Sequence, residues 1–365
     1  MLVPFAIALF IGSFLCCAVL TALAKRVAPH MGLVAHPRAD RYHRSIIPLG
    51  GGIAIFLTLA LFLIVGAAAM RFLIVPGYFG GLAERAHLNP ADFPRHGVEL
   101  LVILLCASVL FLVGLRDDRR ALGPFVKLAF QFLVAIVAAA FADVRIEFFI
   151  PSRIVTTLLS AFWIVLIVNA FNFLDNMDGA SAGIAAIAGS VLLTAAALNG
   201  QIFVSGLAIA FLGALLGFLL FNFPPASIFM GDAGSLVVGF FVALLTLRTD
   251  YYHEAQSGPW YPVLLPLIVM AVPLYDFTSV TLLRISQGKS PFVGDTQHFS
   301  HRLRRRGLTD TQTALTLYLA TLGTGLGATF LYQVDILGAI LIVGQTLLII
   351  GIIGVFESTG KAEDR

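Results

Sequence analysis

The chain has 365 residues, of which 59% are hydrophobic and 12% charged, with a formal net charge of +3. Soluble domains carry about 25% charged residues, so this composition excludes an ordinary water-soluble enzyme and makes lipid the surrounding solvent. No large aqueous domain fits in the remaining polar residues, and no nucleic-acid partner is expected.

Apolar runs cover residues 2–24, 46–70, 98–115, 124–141, 154–171, 180–198, 202–223, 233–247, 261–283, 313–331 and 336–356. Most reach the roughly 17–25 residues that a helix needs to cross the hydrocarbon core, where a spanning segment must satisfy its own backbone hydrogen bonds. The fold class predicted is therefore all-α, a polytopic transmembrane bundle of about eleven helices. It forms one domain over residues 1–356 with a short tail at 357–365. The first run has no basic segment before it and no small-residue cleavage site after it, so it reads as a retained helix. Cys16, Cys17 and Cys106 all lie inside apolar runs and read as small hydrophobic fillers.

Between the first and second runs lies a basic stretch, His36-Pro-Arg38-Ala-Asp40-Arg41-Tyr-His43-Arg44, followed by Pro48 and Gly50 to Gly52. Arg41 and Arg44 serve either as a membrane anchor or to attract an anionic lipid head group. The third run ends in Gly114-Leu-Arg-Asp117-Asp118-Arg119-Arg120. Adjacent carboxylates at a membrane boundary repel each other unless a cation stands near. Asp117 and Asp118 thus belong either to a Mg²⁺ or phosphate-handling site or to a solvated polar cap.

Runs five and six are joined by Asn169-Ala-Phe-Asn172-Phe-Leu-Asp175-Asn176-Met-Asp178-Gly179. Asn172, Asp175, Asn176 and Asp178 offer the hard oxygen ligands that Mg²⁺ prefers; alternatively Asp175, Asn176 and Asp178 cap the sixth helix. Before run eight comes Phe229-Met-Gly231-Asp232-Ala-Gly234-Ser235, where a helix N-terminus favours an anion. Asp232 would repel that anion unless it holds a bridging metal; simple N-capping is the alternative. Run nine carries Asp276, about eight residues inside from Arg284. A carboxylate at that depth should face the bundle interior as a functional candidate. The following loop reads Asp295-Thr-Gln-His298-Phe-Ser-His301-Arg302-Leu303. His298, His301 and Arg302 fall on one helical turn and suit phosphate oxygens and sugar hydroxyls, while Arg304 to Arg306 read as an anchor.

When the runs are assigned alternately, 17 of the 23 Lys and Arg residues fall on one side. The positive-inside rule makes that side cytoplasmic, with the N-terminus outside and the C-terminus inside. The same parity puts loops 172–179 and 222–232, which contain no Lys or Arg, on that face too.

In this order the motifs Pro48 to Gly52, Gly114 to Arg119, Asn172 to Gly179, Gly231 to Ser235 and Pro273 to Leu303 resemble the polyprenyl-phosphate N-acetylhexosamine-1-phosphate transferase family. The Asp295-x-x-His298-x-x-His301-Arg302-Leu303 ending is similar to its GlcNAc-1-phosphate branch. The chain departs from many members at Asn176, where Gly is common, and at Ala180-Ser181. The resemblance implies a multi-pass enzyme of the cell inner membrane, with its active site on the cytoplasmic face. A polyprenyl phosphate would attack the β-phosphate of a UDP-N-acetylhexosamine and release UMP, at the start of cell-envelope glycan assembly. It implies Mg²⁺, with Mn²⁺ admitted in its place, on Asp232 with help from Asn172 or Asp175. It further implies Asp117 at the lipid phosphate, Asp118, Asp175 and Asp178 in the catalytic network, and His298, His301 and Arg302 on the nucleotide phosphates. Asp276, Asp295, Arg41 and Arg44 complete the substrate-binding set, and a homodimer is admitted. The alternative is a polytopic transporter with Asp276 on its ion or substrate path.

Overall fold

The structure is a computed structural model and describes residues 2–35, 46–74, 76, 78, 93–142, 144–145, 150–251, 259–290 and 297–358. Arg41, Arg44 and Asp295 lie outside the described residues. Helices dominate, and one two-stranded ribbon pairs β1 (Val34–Ala35) antiparallel with β2 (Ile47–Pro48).

Among the described residues nine helices are long and apolar enough to cross a membrane. They are α1 (Leu2–Val27), α2 (Gly51–Ala69), α3 (Phe93–Arg119), α4 (Pro124–Phe141), α5 (Arg153–Leu174), α6 (Ala180–Leu198), α7 (Ile202–Asn222), α12 (Asp310–Thr329) and α13 (Ile336–Ser358). A tenth crossing is bent by 60° where the segment containing α9 (Leu265–Val269) meets α10 (Ala271–Ser286). A further helix, α8 (Asp232–Arg248), has 17 residues, a rise of about 26 Å. The expected eleven is reached only when the bent pair and α8 are each taken as one crossing. The short α11 (Phe299–Arg305) lies between α10 and α12.

The centre of the bundle is α8. Every residue from Ala233 to Thr246 is buried, and α2, α3, α5, α6 and α7 all pack against it. A helix that is apolar all round has this fate: with no polar face to show, it is enclosed by others. Small residues allow the close approach that helices in lipid rely on. Gly52 of α2 rests on the backbone of Gly234, and Gly114 of α3 rests on the backbone of Asp232 and Ala233; a Cβ at either position would overlap it. By contrast α1 presents Phe5, Ile11, Leu15 and Val19 outward, as a helix facing lipid does. All three cysteines are free, with Cys17 and Cys106 buried, as apolar fillers should be.

Each end of the bundle is tied differently. At one end Arg248 donates to Glu99 at 3.0 Å and to the Ala142 carbonyl at 3.0 Å, and Gln201 donates to Asp250 at 2.9 Å. The other end gathers the loops that join α3 to α4, α5 to α6 and α7 to α8, with the start of α11. The described parts of the sequence motifs lie there.

Candidate active site

The site is assembled on the N-terminus of α8. Gly231 precedes the helix at φ +72°, a left-handed conformation suited to glycine. A Cβ there would also stand 2.7 Å from Asp118 Oδ2. The loop before it is sewn onto α2: Phe229 N donates to Pro48 O at 2.9 Å, Gly51 N to Phe229 O at 3.0 Å and Gly52 N to Met230 O at 2.9 Å. The Pro48 to Gly52 motif therefore supports the Gly231 to Ser235 motif through the backbone.

Asp118 reaches across from the end of α3 and accepts hydrogen bonds from Asp232 N at 2.8 Å and Ala233 N at 3.0 Å. The anion at this helix N-terminus is thus the protein's own carboxylate. The expected preference of this helix N-terminus for an anion is met by Asp118 itself, and the alternative that Asp232 is the N-cap is corrected. Asp232 is already the first helical residue and Asp118 supplies the cap from another helix.

Asp117, one residue earlier, turns to a different partner. Its Oδ1 accepts from Leu122 N at 2.5 Å and its Oδ2 accepts from Lys127 Nζ at 2.9 Å. Lys127 also donates to Asp232 Oδ2. The remaining oxygen of Asp232, Oδ1, accepts from Asn172 Nδ2 at 2.9 Å, and the same amide group donates to Ser235 Oγ at 2.9 Å. Side chains from α3, α4, α5 and α8 therefore converge on one ammonium group held by two carboxylates. One turn along the same faces of α4 and α5, Asn169 donates to Gln131 Oε1 at 2.6 Å.

Loop 175–179 is pinned rather than open. Asp175 follows α5 as its C-cap, half-buried. Asp178 Oδ2 accepts from Ala226 N at 2.8 Å, and Asn222 Oδ1 accepts from Gly179 N at 3.1 Å. Tyr318 of α12 donates to Gly179 O at 2.7 Å. The N-cap position of α6 is taken by Gly179 at φ +72°, so the acids do not cap that helix. Asn176 accepts from Ser300 Oγ at 2.5 Å, which joins this loop to α11.

Asp276 is 1% exposed. Its Oδ1 accepts from Phe299 N at 2.6 Å and its Oδ2 stands 3.1 Å from His298 Nδ1. It therefore caps α11 from another helix, as Asp118 caps α8. The contact ties the His298 ring to Asp276 through Nδ1, which leaves Nε2 as the ring nitrogen not facing that carboxylate. This accounts for the buried acid that motivated a transport path. His301 lies on the same short helix, its ring 6.1 Å from that of His298. Burial first, then the neighbouring His298 and Arg304, push its pKa down to about 4, so it is neutral near pH 7. Arg302 donates to Ser279 Oγ at 2.8 Å and Gln297 O at 2.9 Å, and pairs with Glu357 at 3.1 Å. In this state it is engaged by protein groups. Arg284, also buried, lies over the Phe173 ring at 5.0 Å.

Lys127 and Glu357 are the members that sequence reasoning missed. In the sequence Lys127 is one more basic residue near a membrane boundary. The signal that could have found it was its place four residues into an apolar run, one turn before Gln131. In the sequence Glu357 falls at the start of the tail, 357–365.

The donor set fits a divalent ion. Mg²⁺ binds through one or two carboxylates, waters and substrate phosphates, without a full protein cage. Asp117 and Asp232 already converge on one cation. Among the described residues no three His, Cys, Asp or Glu gather as a metal cage. Asn172 donates its amide to Asp232 here and would have to turn to offer its oxygen.

The sequence model of glycosyl transferase family 4 matches residues 100–250, the stretch holding Asp117, Lys127, Asn172 and Asp232. The chain is 29% identical over 364 residues to a probable undecaprenyl-phosphate N-acetylglucosaminyl 1-phosphate transferase of Bacillus subtilis, covering 98% of this chain and 92% of that protein. It is 28% identical over 322 residues to the undecaprenyl-phosphate alpha-N-acetylglucosaminyl 1-phosphate transferase of Escherichia coli K12, covering 85% and 79%. A decaprenyl-phosphate N-acetylglucosaminephosphotransferase of Mycobacterium tuberculosis is 29% identical over 360 residues, covering 90% and 85%. Over residues 100–250 the chain is thus similar to glycosyl transferase family 4, and along most of its length it is similar to polyprenyl-phosphate N-acetylglucosamine 1-phosphate transferases.

Proposed function

We propose that this multi-pass membrane protein transfers an N-acetylhexosamine 1-phosphate, GlcNAc 1-phosphate in the first instance, from a UDP-sugar to a polyprenyl phosphate, releasing UMP. The observation that carries the reading is the meeting of Asp117 and Asp232 around one cation, at the polar end of an apolar bundle. One substrate is an isoprenoid dissolved in the bilayer and the other a soluble nucleotide, so the reaction belongs at such a boundary. The excess of Lys and Arg in the loops on this side supports a cytoplasmic position for this end.

Phosphoryl transfer is chiefly positioning and charge neutralisation. A bound divalent ion would neutralise phosphate oxygens during the transfer. Asp117 and Asp232 would hold it, and Asn172 keeps the Asp232 carboxylate oriented. Asp118 fixes the backbone on which Asp232 stands. Lys127 and His298 supply a cation and an imidazole at the same end of the bundle, with His298 positioned by Asp276. His301 is kept neutral beside it and Arg302 anchors the short helix that follows His298 and carries His301. The enclosing helices hold water away from the buried side of the acids.

Purified protein incubated with UDP-GlcNAc, undecaprenyl phosphate and Mg²⁺ should release UMP and form a lipid-linked sugar pyrophosphate, with other UDP-N-acetylhexosamines tested in parallel. Absence of UMP from every donor would remove the proposal.

A further inference from the structure

Each carboxylate of the central pair has one oxygen committed to the protein. Asp117 Oδ1 accepts from Leu122 N at 2.5 Å, and Asp232 Oδ1 accepts from Asn172 Nδ2 at 2.9 Å. The other two oxygens, Asp117 Oδ2 and Asp232 Oδ2, are the edges left to face a cation. Both are taken by a single atom, Lys127 Nζ. Among the described residues no other Lys or Arg stands within ion-pair distance of either acid.

We infer that Lys127 occupies the cation position of the ion-free protein, and that a divalent ion enters between Asp117 and Asp232 by displacing it. This deepens the divalent-ion reading given above and rests on it. The argument is electrostatic. An ammonium and a divalent cation on the same two oxygens would stand only a few ångströms apart, where like charges in a partly buried site repel strongly. Without any cation the two carboxylates would face each other uncompensated. The lysine therefore serves the empty site by keeping the acids together, at the cost of competing with the ion.

The position of Lys127 allows the exchange. It lies in the first turn of α4, just after Pro124, at the mouth of the bundle. Its side chain is 17% exposed, so the group is not sealed in. A lysine ends in a compact charge on a flexible four-carbon stem, and it can swing away without moving the helix. Once displaced, its ammonium is available to an anionic group entering the same site. The ion's apparent affinity is then reduced by the fraction of molecules in which the lysine is seated.

The test uses full-length protein in detergent with Mn²⁺ alone, without either substrate. Free Mn²⁺ is read by electron paramagnetic resonance for the wild type and for Lys127→Met. The variant should bind Mn²⁺ about tenfold more tightly or better, as removal of a competitor seated in most molecules requires. A second readout needs no variant: acylation of the Lys127 amine, followed by mass spectrometry, should rise when Mn²⁺ is added to the wild type. Equal or weaker binding by folded Lys127→Met overturns the inference. So does Lys127 labelling that stays level or falls at saturating Mn²⁺; if the variant does not fold, labelling decides. If neither protein binds Mn²⁺, the divalent-ion reading fails and takes this inference with it.

Discussion

The carboxylate of Asp118 sits on the amide end of the helix that Asp232 begins, accepting from Asp232 N at 2.8 Å and Ala233 N at 3.0 Å. Two neighbouring aspartates thereby divide their work. Asp118 holds the backbone of α8 in place, and Asp117 faces the cation that Asp232 shares. Removing the cap should therefore act through structure. Asp118→Ala leaves two buried amides without their acceptor and should cost about 1–2 kcal/mol of stability, as loss of a helix N-cap does. Transfer should fall with it. Asp117→Asn keeps an acceptor for Leu122 N and should melt close to the wild type while losing transfer. Thermal unfolding in detergent beside UMP release separates the two. Equal destabilisation by both would contradict the division.

Gly114 tests the same scaffold without altering any charge. A Cβ at this position would overlap the Asp232 backbone, and overpacking of this kind costs about 1–3 kcal/mol. Gly114→Ala should lower both the melting temperature and the turnover number by pushing Asp232 out of register with Asp117. Unchanged kinetics in Gly114→Ala would show that the position of Asp232 is not critical.

Asp276 holds Phe299 N at 2.6 Å and His298 Nδ1 at 3.1 Å. Asp276→Asn retains an oxygen for Phe299 N but turns an amide N–H toward His298, which favours the opposite tautomer. The variant should fold and show a raised KM for the sugar nucleotide. Asp276→Ala also strands a buried N–H, which costs about 1–3 kcal/mol, and should melt earlier. A normal KM in Asp276→Asn would detach His298 from nucleotide binding.

His301 gives a pH dependence with a definite sign. Its pKa in the folded chain is pushed down to about 4 from 6.5 by burial and by His298 and Arg304, with Asp276 pulling the other way. The unfolded chain therefore takes up a proton first as pH falls. The His301 contribution to stability is complete above pH 6.5 and is lost progressively from there toward pH 4. In His301→Gln the melting temperature should decline less over that window than in the wild type. Parallel declines in the two proteins would show that His301 is not held neutral by the fold.

Much of this was legible in the sequence, because lipid restricts what a chain can do. Long apolar runs can only be helices there, and acids at their ends need a reason to stay. The convergence of Asp117, loop 172–179 and Asp232 on one end followed from counting spans. What a chain's order cannot show is which helix an acid serves. Asp118 and Asp276 read as acids of their own helices, yet each caps a helix more than twenty residues away. Asp178 read as a ligand or local cap, and its Oδ2 accepts from Ala226 N in the distant loop before α8. Arg302 read as a phosphate group's partner, and Glu357 from the end of α13 holds it. Lys127 was hidden because a lysine near the start of a membrane helix has an ordinary explanation as an anchor. Only the tertiary meeting of α3, α4 and α8 reveals its second role.

One comparison bears on the whole account: UMP release from UDP-GlcNAc and undecaprenyl phosphate by the wild type, Asp117→Asn and Asp232→Asn, each confirmed as folded by its melting curve. The wild type should turn over with a divalent ion present, and both variants should lose at least about a hundredfold, as removal of a principal electrostatic group does. Near wild-type turnover by folded Asp232→Asn would contradict the claim that these two carboxylates form the centre of phosphoryl transfer.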